Sequence, residues 1–294
     1  MKIAIYGQSY NSNTSKSTHT LLDILLSKKV HVYLENDFFN EIKKDKVSAK
    51  KYRPFASFKT LDHTYDLLIS IGGDGTILRA ITFVRDLAIP IIGINTGRLG
   101  FLSTIQTNQI KEAINHILKG NYNISERTLL SVKTNPENKD IGTLNFALNE
   151  IAVSRKNTTS MITVRTHLNK EYLTSYWADG LIISTPTGST GYSLSCGGPV
   201  ITPDTDSLVL TPIAPHNLSA RPLVIPNDTE IQLEVGGREN YFLMSLDSRI
   251  ATLNNTTIVN IKKASFKIKM VELINESFID TLRKKLLWGE DKRN

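Results

Sequence analysis

Cysteine is almost absent from this sequence: Cys196 is the only one in 294 residues. A single thiol excludes a disulfide framework and a metal site built only from thiolates. The sequence also lacks any apolar stretch approaching the roughly 18–20 residues that a membrane-spanning helix needs. Its longest apolar runs, such as residues 87–94, have the length of a buried strand. We therefore expect a protein of the cytoplasm that does not enter a membrane.

Acidic residues are outnumbered, since 35 Lys and Arg against 28 Asp and Glu give a formal charge of +7. This excess favours an anionic partner. Part of it lies in residues 43–53, a block that we interpret first as a solvated loop and alternatively as a phosphate-steering or nucleic-acid-binding segment. The sequence contains no helix-turn-helix pattern and no basic surface interleaved with aromatic residues. We do not expect a nucleic-acid partner.

Strand and helix patterns alternate in the first part of the chain. A strong strand pattern over residues 66–71 precedes an amphipathic helix pattern over 76–85. A continuous apolar run over 89–94 and a second helix pattern over 108–118 follow. Continuous apolar runs are typical of parallel strands that are covered on both faces. The order predicts an open, Rossmann-like α/β domain over residues 1–125.

Short β-rich runs dominate after Arg127, separated by turn-forming residues. They predict an all-β, sandwich-like domain over residues 126–272, whose last strand would cover 266–271. A final amphipathic helix pattern covers residues 277–287. We expect the C-terminal segment, 273–294, to pack back on the first domain.

The strongest chemical signal is the segment Gly72-Gly73-Asp74-Gly75-Thr76, between a buried strand and a helix. Open α/β folds bind ligands at the carboxyl ends of their strands, and glycines allow the backbone to approach a phosphate closely. Thr76 could cap the following helix, whose free N–H groups favour an anion. A carboxylate repels phosphate, so Asp74 is better explained as the acceptor of a proton from a hydroxyl that attacks phosphorus. The alternative is that this segment is a plain turn between strand and helix. It is not a Walker A loop, because no Gly-Lys-Ser/Thr follows.

A second polar segment, residues 179–195, ends a strand pattern in a turn rich in hydroxyl groups and glycine. Hydroxyl donors and free N–H groups near Thr190 suit a nucleotide, and Tyr192 offers a flat face for a base or sugar. The alternative is a Ser/Thr-rich turn whose hydroxyls bond their own backbone. From the residues alone, lipids, sugars and nucleotides all remain open as phosphoryl acceptors.

These segments resemble a known group of kinases. Gly-Gly-Asp-Gly-Thr is shared by NAD kinases, diacylglycerol and sphingosine kinases, and phosphofructokinases. Residues 179–195 are similar to the NAD kinase family and have no counterpart in the other two groups. Residues 148–151, with their Asn149-Glu150 pair, and residues 212–223 also resemble that family.

The resemblance implies ATP-dependent phosphorylation of the 2′-hydroxyl on the adenosine ribose of NAD, giving NADP, with Asp74 as general base. Asn149 and Glu150 would recognise the adenosine, Arg79 would neutralise phosphate charge, and Ala214 would line the nucleotide site. An exposed arginine without a ligand is the alternative for Arg79. The remaining residues implied to hold NAD are Gly75, Asp179, Thr190, Gly191, Tyr192, Ser193, Leu194 and Ser195.

Three departures from the family pattern affect the expected pocket. Trp177 stands where many relatives carry an arginine, and Gly191 stands where an alanine is expected. Where relatives commonly have Asp-Gly-Gln, this chain has Asp247-Ser248-Arg249, and Arg249 is a candidate to replace the missing arginine. None of these changes affects the chemistry expected at Asp74.

Two other functions remain as alternatives. A diacylglycerol-type lipid kinase shares the Asp74 loop but should lack the 179–195 segment. A non-enzymatic NAD(P)-binding regulator would tolerate the loss of Asp74. We expect no dedicated metal site, because there is no His-Glu-x-x-His pattern, and Mg²⁺ is expected to arrive on the ATP phosphates. The resemblance also implies a homodimer or homotetramer.

Overall fold

A computed structural model of the protein describes residues 1–157, 160–274 and 276–287. Contacts divide the chain into two compact units, unit 1 (Met1–Glu126 with Ile268–Asn294) and unit 2 (Arg127–Lys267). The strands are β1 (Lys2–Gly7), β2 (His31–Glu35), β3 (Ala56–Phe58), β4 (Leu67–Gly72), β5 (Ile91–Asn95), β6 (Ile105–Gln106), β7 (Tyr122–Arg127), β8 (Leu130–Asn135), β9 (Phe146–Ala147), β10 (Glu150–Arg155), β11 (Ile162–Leu168), β12 (Glu171–Ala178), β13 (Gly180–Ser184), β14 (Ser207–Ile213), β15 (Leu223–Pro226), β16 (Ile231–Gly237), β17 (Tyr241–Leu246), β18 (Arg249–Asn254), β19 (Ile258–Lys263) and β20 (Ile268–Leu273). The helices are α1 (Ser12–Leu26), α2 (Asn36–Lys43), α3 (Lys46–Lys51), α4 (Asp74–Val84), α5 (Ile110–Leu118), α6 (Tyr192–Ser195) and α7 (Phe278–Leu286), with 3₁₀ turns at Thr107–Gln109 and Thr187–Thr190.

Unit 1 is built on a sheet with the order β3-β2-β1-β4-β5-β20-β7, and β6 pairs with β5. The pairs β1–β2, β1–β4 and β4–β5 are parallel. Every residue of β4 and β5 is buried, as their continuous apolar runs predict. Helix α4 buries Ile77, Ala80, Ile81 and Val84, the apolar face expected from the sequence. The predicted α/β class of this part is confirmed.

The register of β4 and β5 fixes where the chemistry-bearing loops emerge. Gly72, the last residue of β4, pairs with Asn95, the last residue of β5. Two parallel strands that end side by side send their following loops out at the same sheet edge. The segment that begins α4 and residues 96–103 are therefore neighbours.

Helix α7 packs against the loop that follows β5, as expected for the C-terminal segment. The rings of Phe278 and Phe101 have centroids 6.2 Å apart. Lys285 donates a hydrogen bond to the carbonyl oxygen of Leu99. Ser277 caps the helix by accepting the N–H of Asp280 at 3.0 Å. The C-terminal helix therefore helps to hold residues 97–103 in place.

Unit 2 contains two antiparallel sheets, with the orders β15-β14-β13-β10-β17-β18 and β12-β11-β16-β19-β8-β9. One apolar core takes buried side chains from both sheets, including Ile151, Leu181 and Met244 from the first and Val164, Leu233 and Val259 from the second. Two sheets that share one core form a sandwich, so this predicted class is also confirmed.

Two details differ from the sequence expectations. The strand expected over residues 266–271, in the β-rich domain, is β20, and it pairs in parallel with β5 in the sheet of unit 1. An apolar strand pattern does not specify which sheet the strand joins, which is why the boundary drawn at residue 272 falls beyond Lys267. Part of the basic block, for which the sequence favours a solvated loop, forms α3. Asp45 caps this helix by accepting the N–H of Ser48 at 2.9 Å. Within the described residues, no helix is both long and apolar enough to cross a membrane.

Candidate functional site

In unit 1, the Asp74 carboxylate accepts three backbone hydrogen bonds from the loop after β5. Phe101 N–H donates to Oδ2 at 2.8 Å, while Leu102 N–H and Ser103 N–H donate to Oδ1 at 3.1 and 2.9 Å. An ionised carboxylate offers about four lone-pair sites, so one site on Oδ2 remains for a further donor. Asp74 is half-buried and begins α4, where the free N–H groups at the positive end of the helix favour a negative charge. The carboxylate is thus fixed in orientation and keeps one acceptor position.

Gly100 makes this arrangement sterically possible. A Cβ added to Gly100 would overlap the Asp74 carboxylate, because the loop backbone passes directly over it. The Ser103 hydroxyl also donates to the carbonyl oxygen of Gly72 at 3.2 Å. Sequence reasoning missed this loop, although the signal was present: Gly97 and Gly100 follow a buried parallel strand in a glycine-containing turn.

The other residues predicted in this loop lie close by in the chain. Gly75 is exposed, and a Cβ added there would meet nothing within 4 Å. Arg79 is exposed on the second turn of α4. The expectation that Thr76 caps the helix is wrong, because α4 begins at Asp74 with Gly73 as its N-cap. Thr76 therefore lies inside the first turn, where it is buried.

In unit 2, Asn149 and Glu150 lie at the start of β10, and each has a buried polar atom without a partner. Among the described residues, nothing hydrogen-bonds Asn149 Oδ1 or Glu150 Oε2. Buried polar groups in proteins are nearly always paired, so two unpaired atoms on neighbouring side chains indicate a place for a polar ligand. A Cβ at Gly191 would lie 3.4 Å from Glu150 Oε2 and 3.5 Å from Asn149 Nδ2. The fold thus brings Gly191 beside this pair.

Glu150 has an unusual protonation equilibrium. Burial, with a smaller contribution from the neighbouring charge of Asp247, raises the pKa of Glu150 to about 8. At neutral pH the unliganded side chain is mainly a neutral acid, which can both donate and accept a hydrogen bond.

Replacing Glu150 with glutamine should make the stability of the protein less sensitive to a rise in pH from 5 to 8. Because the folded-state pKa lies above the unfolded value, the stability linked to this proton is present at low pH and is lost as pH rises to about 8. We expect the unfolding free energy of Glu150→Gln, relative to wild type, to rise by on the order of 3 kcal/mol between pH 5 and pH 8. Urea unfolding at a series of pH values measures it.

Glu171, which is exposed on β12, provides the matched control, because its replacement by glutamine also changes one carboxylate to an amide. Glu171→Gln should follow wild type across the same pH series. A constant difference between Glu150→Gln and wild type from pH 5 to pH 8 would contradict the assignment of a raised pKa.

The predicted nucleotide-binding turn forms the 3₁₀ turn Thr187–Thr190 and the short helix α6. Tyr192 is 44% exposed, and burial, followed by the charges of Cys196, Asp179 and Glu150, raises its pKa. The hydroxyl of Ser193, by contrast, is buried against Thr211 Oγ1 at 2.8 Å, so its side chain serves packing. The turn's other predicted residues differ in exposure: Thr190, Gly191 and Leu194 are half-buried and Ser195 is exposed.

Asp179 is paired with a residue that sequence reasoning missed. Arg155, at the end of the neighbouring strand β10, lies 2.8 Å from Asp179 Oδ2 through its guanidinium group. The sequence gives little indication of this pairing, because the contact between β10 and β13 is not visible in the linear sequence. This ion pair supplies a positive charge beside Asp179.

Trp177, at the position where the sequence resemblance led us to expect an arginine, is 49% exposed and packs on His216 with ring centroids 4.8 Å apart. The backbone also links the two residues, since His216 N–H donates to the Trp177 carbonyl oxygen at 2.8 Å. Ala214, two residues before His216, is exposed and has φ of 42°, in the left-handed region that a non-glycine residue rarely adopts. An aromatic pair thus lies where a positive charge was expected.

Asp247 and Arg249 lie at the tip of the β17–β18 hairpin and contact residues 144–150. Among residues 1–157, 160–274 and 276–287, no group of three or more His, Cys, Asp or Glu side chains is placed to hold a metal ion.

Two family models match the chain. The model of the ATP-NAD kinase N-terminal domain matches residues 3–122, and that of the ATP-NAD kinase C-terminal domain matches residues 148–273. Curated relatives named NAD kinase include those of Flavobacterium johnsoniae, 58% identical over 294 residues, and Christiangramia forsetii, 59% identical over 294 residues. In both cases the match covers 100% of each chain.

Solved structures share the fold. The chain is similar to yeast NADH kinase complexed with NADH, with a TM-score of 0.84 and 23% identity, over 99% of this chain and 88% of that one. It is also similar to an NAD kinase from Archaeoglobus fulgidus in complex with ATP, with a TM-score of 0.73 and 26% identity, over 98% of this chain and 99% of that one. At 23% identity, the likeness to yeast NADH kinase concerns the fold alone.

Proposed function

Because the chain belongs to the ATP-NAD kinase family, and is therefore a phosphotransferase, we propose that it transfers the γ-phosphoryl group of ATP to the 2′-hydroxyl of the adenosine ribose of NAD, giving NADP and ADP. The observation that carries this proposal is the Asp74 carboxylate, which three backbone N–H groups orient while one lone-pair site on Oδ2 stays free.

Asp74 acts as the general base in this proposal. Its free site on Oδ2 accepts the proton of the 2′-hydroxyl as that oxygen forms its bond to the γ-phosphorus. The bond from the γ-phosphorus to the bridging oxygen breaks, and its electron pair leaves with ADP. The backbone N–H donors cannot accept this proton, so they hold the carboxylate without competing for it.

NAD is held by the predicted residues of unit 2. The unpaired Asn149 Oδ1 and Glu150 Oε2 support recognition of the adenosine, because an amide suits a base edge and a carboxyl group suits ribose hydroxyls. We assign the remaining contacts to Asp179, Ala214 and the exposed parts of residues 190–195. Tyr192 contributes its exposed face to the base or sugar.

In this proposal, Mg²⁺ enters the site bound to the phosphates of ATP. Mg²⁺ binds few protein groups when it arrives on a nucleotide, and it neutralises charge that develops on the phosphates. Gly75 and Arg79 are the residues of unit 1 that we assign to phosphate contact. Arg79 is exposed on α4 and has a side chain suited to phosphate.

The same family membership underlies three proposals about context. We propose that residues 1–126 bind the phosphate donor and that residues 127–267 bind NAD, with helix α7 supporting unit 1. We also propose a cytoplasmic location and a homodimer or homotetramer. Light scattering on the purified protein measures the assembly, and a monomer at micromolar concentration would contradict it.

A coupled assay tests the proposed reaction. The purified protein is incubated with ATP, Mg²⁺ and NAD, and NADP is detected with a dehydrogenase that accepts only NADP. We expect NADP to accumulate in proportion to enzyme and to require ATP. Diacylglycerol and sugar phosphates serve as alternative acceptors, and phosphorylation of one of these without NADP formation would overturn the proposal.

A further inference from the structure

The backbone of residues 148–150 is held by one deeply buried carboxylate that lies about one hundred residues further along the chain. Asp247 Oδ2 accepts the N–H of Leu148 at 3.0 Å, and Oδ1 accepts the N–H groups of Asn149 and Glu150 at 2.8 and 3.3 Å. Its side chain is 1% exposed. Asp247 N–H in turn donates to the Glu150 carbonyl oxygen at 3.0 Å. Four hydrogen bonds therefore join Asp247 to the segment that carries Asn149 and Glu150.

Asp247 adopts a demanding backbone conformation to reach this position. It begins the two-residue turn between β17 and β18, where Leu246 pairs with Arg249. Its φ is 51°, in the left-handed region that costs a non-glycine residue free energy. Such conformations persist where surrounding contacts fix them, and they cluster at functional sites.

Arg249, at the other end of the turn, supports the residues that lead into this segment. Its guanidinium donates to the carbonyl oxygens of Leu144 and Phe146, and its charged carbon lies 5.3 Å from the centre of the Phe146 ring. It is also 3.9 Å from Asp247 Oδ2. These contacts occupy the guanidinium, so they favour a supporting role over the phosphate contact considered from the sequence.

The carbonyl side of the segment is fixed by the turn after β13. Thr185 Oγ1 donates to the Leu148 carbonyl oxygen at 2.6 Å, and Thr185 N–H donates to the Asn149 carbonyl oxygen at 2.9 Å. A Cβ at Gly188 would overlap the Asn149 carbonyl group, so the two backbones are in close contact. The backbone polar groups of Asn149 are thus used inside the protein. Its side-chain Oδ1 and Glu150 Oε2 are what remain for a ligand.

We propose that Asp247 is a positioning residue for NAD, which holds the Asn149-Glu150 backbone so that both side chains meet the adenosine without first being ordered. This inference rests on the proposed function, in which these two side chains bind NAD. Preorganisation raises affinity because binding then carries a smaller ordering cost. Asp247 touches no substrate, so its effect appears in NAD binding before it appears in the chemical step.

The test compares Asp247→Asn with wild type in steady-state kinetics and in calorimetric NAD binding. Asparagine keeps one acceptor oxygen but places an NH₂ group against at least one of the backbone N–H donors. We expect the KM and Kd for NAD to rise at least tenfold, while the KM for ATP stays within about threefold. Asp247→Ala, which removes both acceptors, should show a larger rise than Asp247→Asn.

The neighbouring Ser248 offers a matched control in the same turn, because its side chain is exposed. Ser248→Ala should leave all constants within about twofold of wild type. If Asp247→Asn does not fold, Arg249→Lys gives the second reading, since lysine keeps the charge but loses the two-pronged contact with the carbonyls. Its KM for NAD should rise while its KM for ATP does not.

Each outcome decides the proposal. Unchanged NAD binding in folded Asp247→Asn, or in Arg249→Lys if the first variant fails to fold, overturns it. An equal rise in the KM values for NAD and for ATP also overturns the proposal, because such a rise shows that Asp247 has a general structural role. If wild type makes NADP but the variants bind NAD normally, the positioning role fails and the proposed function stands. If wild type neither makes NADP nor binds NAD, both proposals fail.

Discussion

Replacing Asp74 with asparagine should lower kcat by about 10²-fold or more, the scale expected when a general base is lost. An amide cannot accept the proton of the attacking hydroxyl at neutral pH. Asparagine also turns an NH₂ group toward at least one of the three N–H donors of residues 101–103, which weakens the contact with that loop. We expect the Kd for NAD to stay within about tenfold of wild type, because the residues proposed to bind NAD lie elsewhere.

The exposed Asp86, just beyond α4, provides the matched aspartate-to-asparagine control. Asp86→Asn should keep the wild-type kcat, and calorimetric NAD binding separates affinity from turnover in Asp74→Asn. A kcat within threefold of wild type in folded Asp74→Asn would remove Asp74 from the mechanism.

Adding one methyl group at Gly100 should have the second largest effect. A Cβ at this position would overlap the Asp74 carboxylate, so Gly100→Ala must displace either the carboxylate or the loop that orients it. Misplacing a catalytic group by about 1 Å can cost 10²-fold in rate, so we expect kcat to fall by about tenfold to 10²-fold. Steady-state kinetics with NAD and ATP varied separately measures the loss.

Gly97, in the same loop, allows the same substitution without the overlap, because a Cβ there would meet nothing within 4 Å. Gly97→Ala should therefore retain kcat within about threefold. Equal losses in Gly97→Ala and Gly100→Ala would show that the loop tolerates no side chain at all, and the close contact with Asp74 would not be the cause.

The sequence was most informative where side-chain periodicity decides the structure. The apolar run of β4 and the spacing of Ile77, Ala80, Ile81 and Val84 predicted a strand and a helix, and both form with those residues buried. The sequence was less informative about which strands pair with each other and about where a helix begins. The pattern of β20 is the same in a sandwich strand as in a parallel strand, and only the fold shows that it pairs with β5. Helix α4 begins two residues before Thr76, because glycine and aspartate can both occupy its first turn.

The candidate site divides in the same way. Motifs predicted Asp74, Asn149, Glu150 and the turn at residues 187–195 as site residues, because side-chain type and spacing are visible in the sequence. The groups that orient them were not visible. The donors to Asp74 are backbone N–H groups of residues 101–103, which any residue except proline supplies. Asp247 reaches Leu148 across 99 positions of sequence, so no local pattern connects them.

In the proposed reaction, Asp74 directs a phosphoryl group from ATP to the 2′-hydroxyl of NAD. The most direct measurement supplies wild type and Asp74→Asn with NAD, Mg²⁺ and ATP labelled in its γ-phosphate, and locates the label in the products by ³¹P NMR and radiochromatography. We expect wild type to place the label in the 2′-phosphomonoester of NADP, and Asp74→Asn to do so at least about 10²-fold more slowly. Label in any other position, or equal rates from the two proteins, would contradict it.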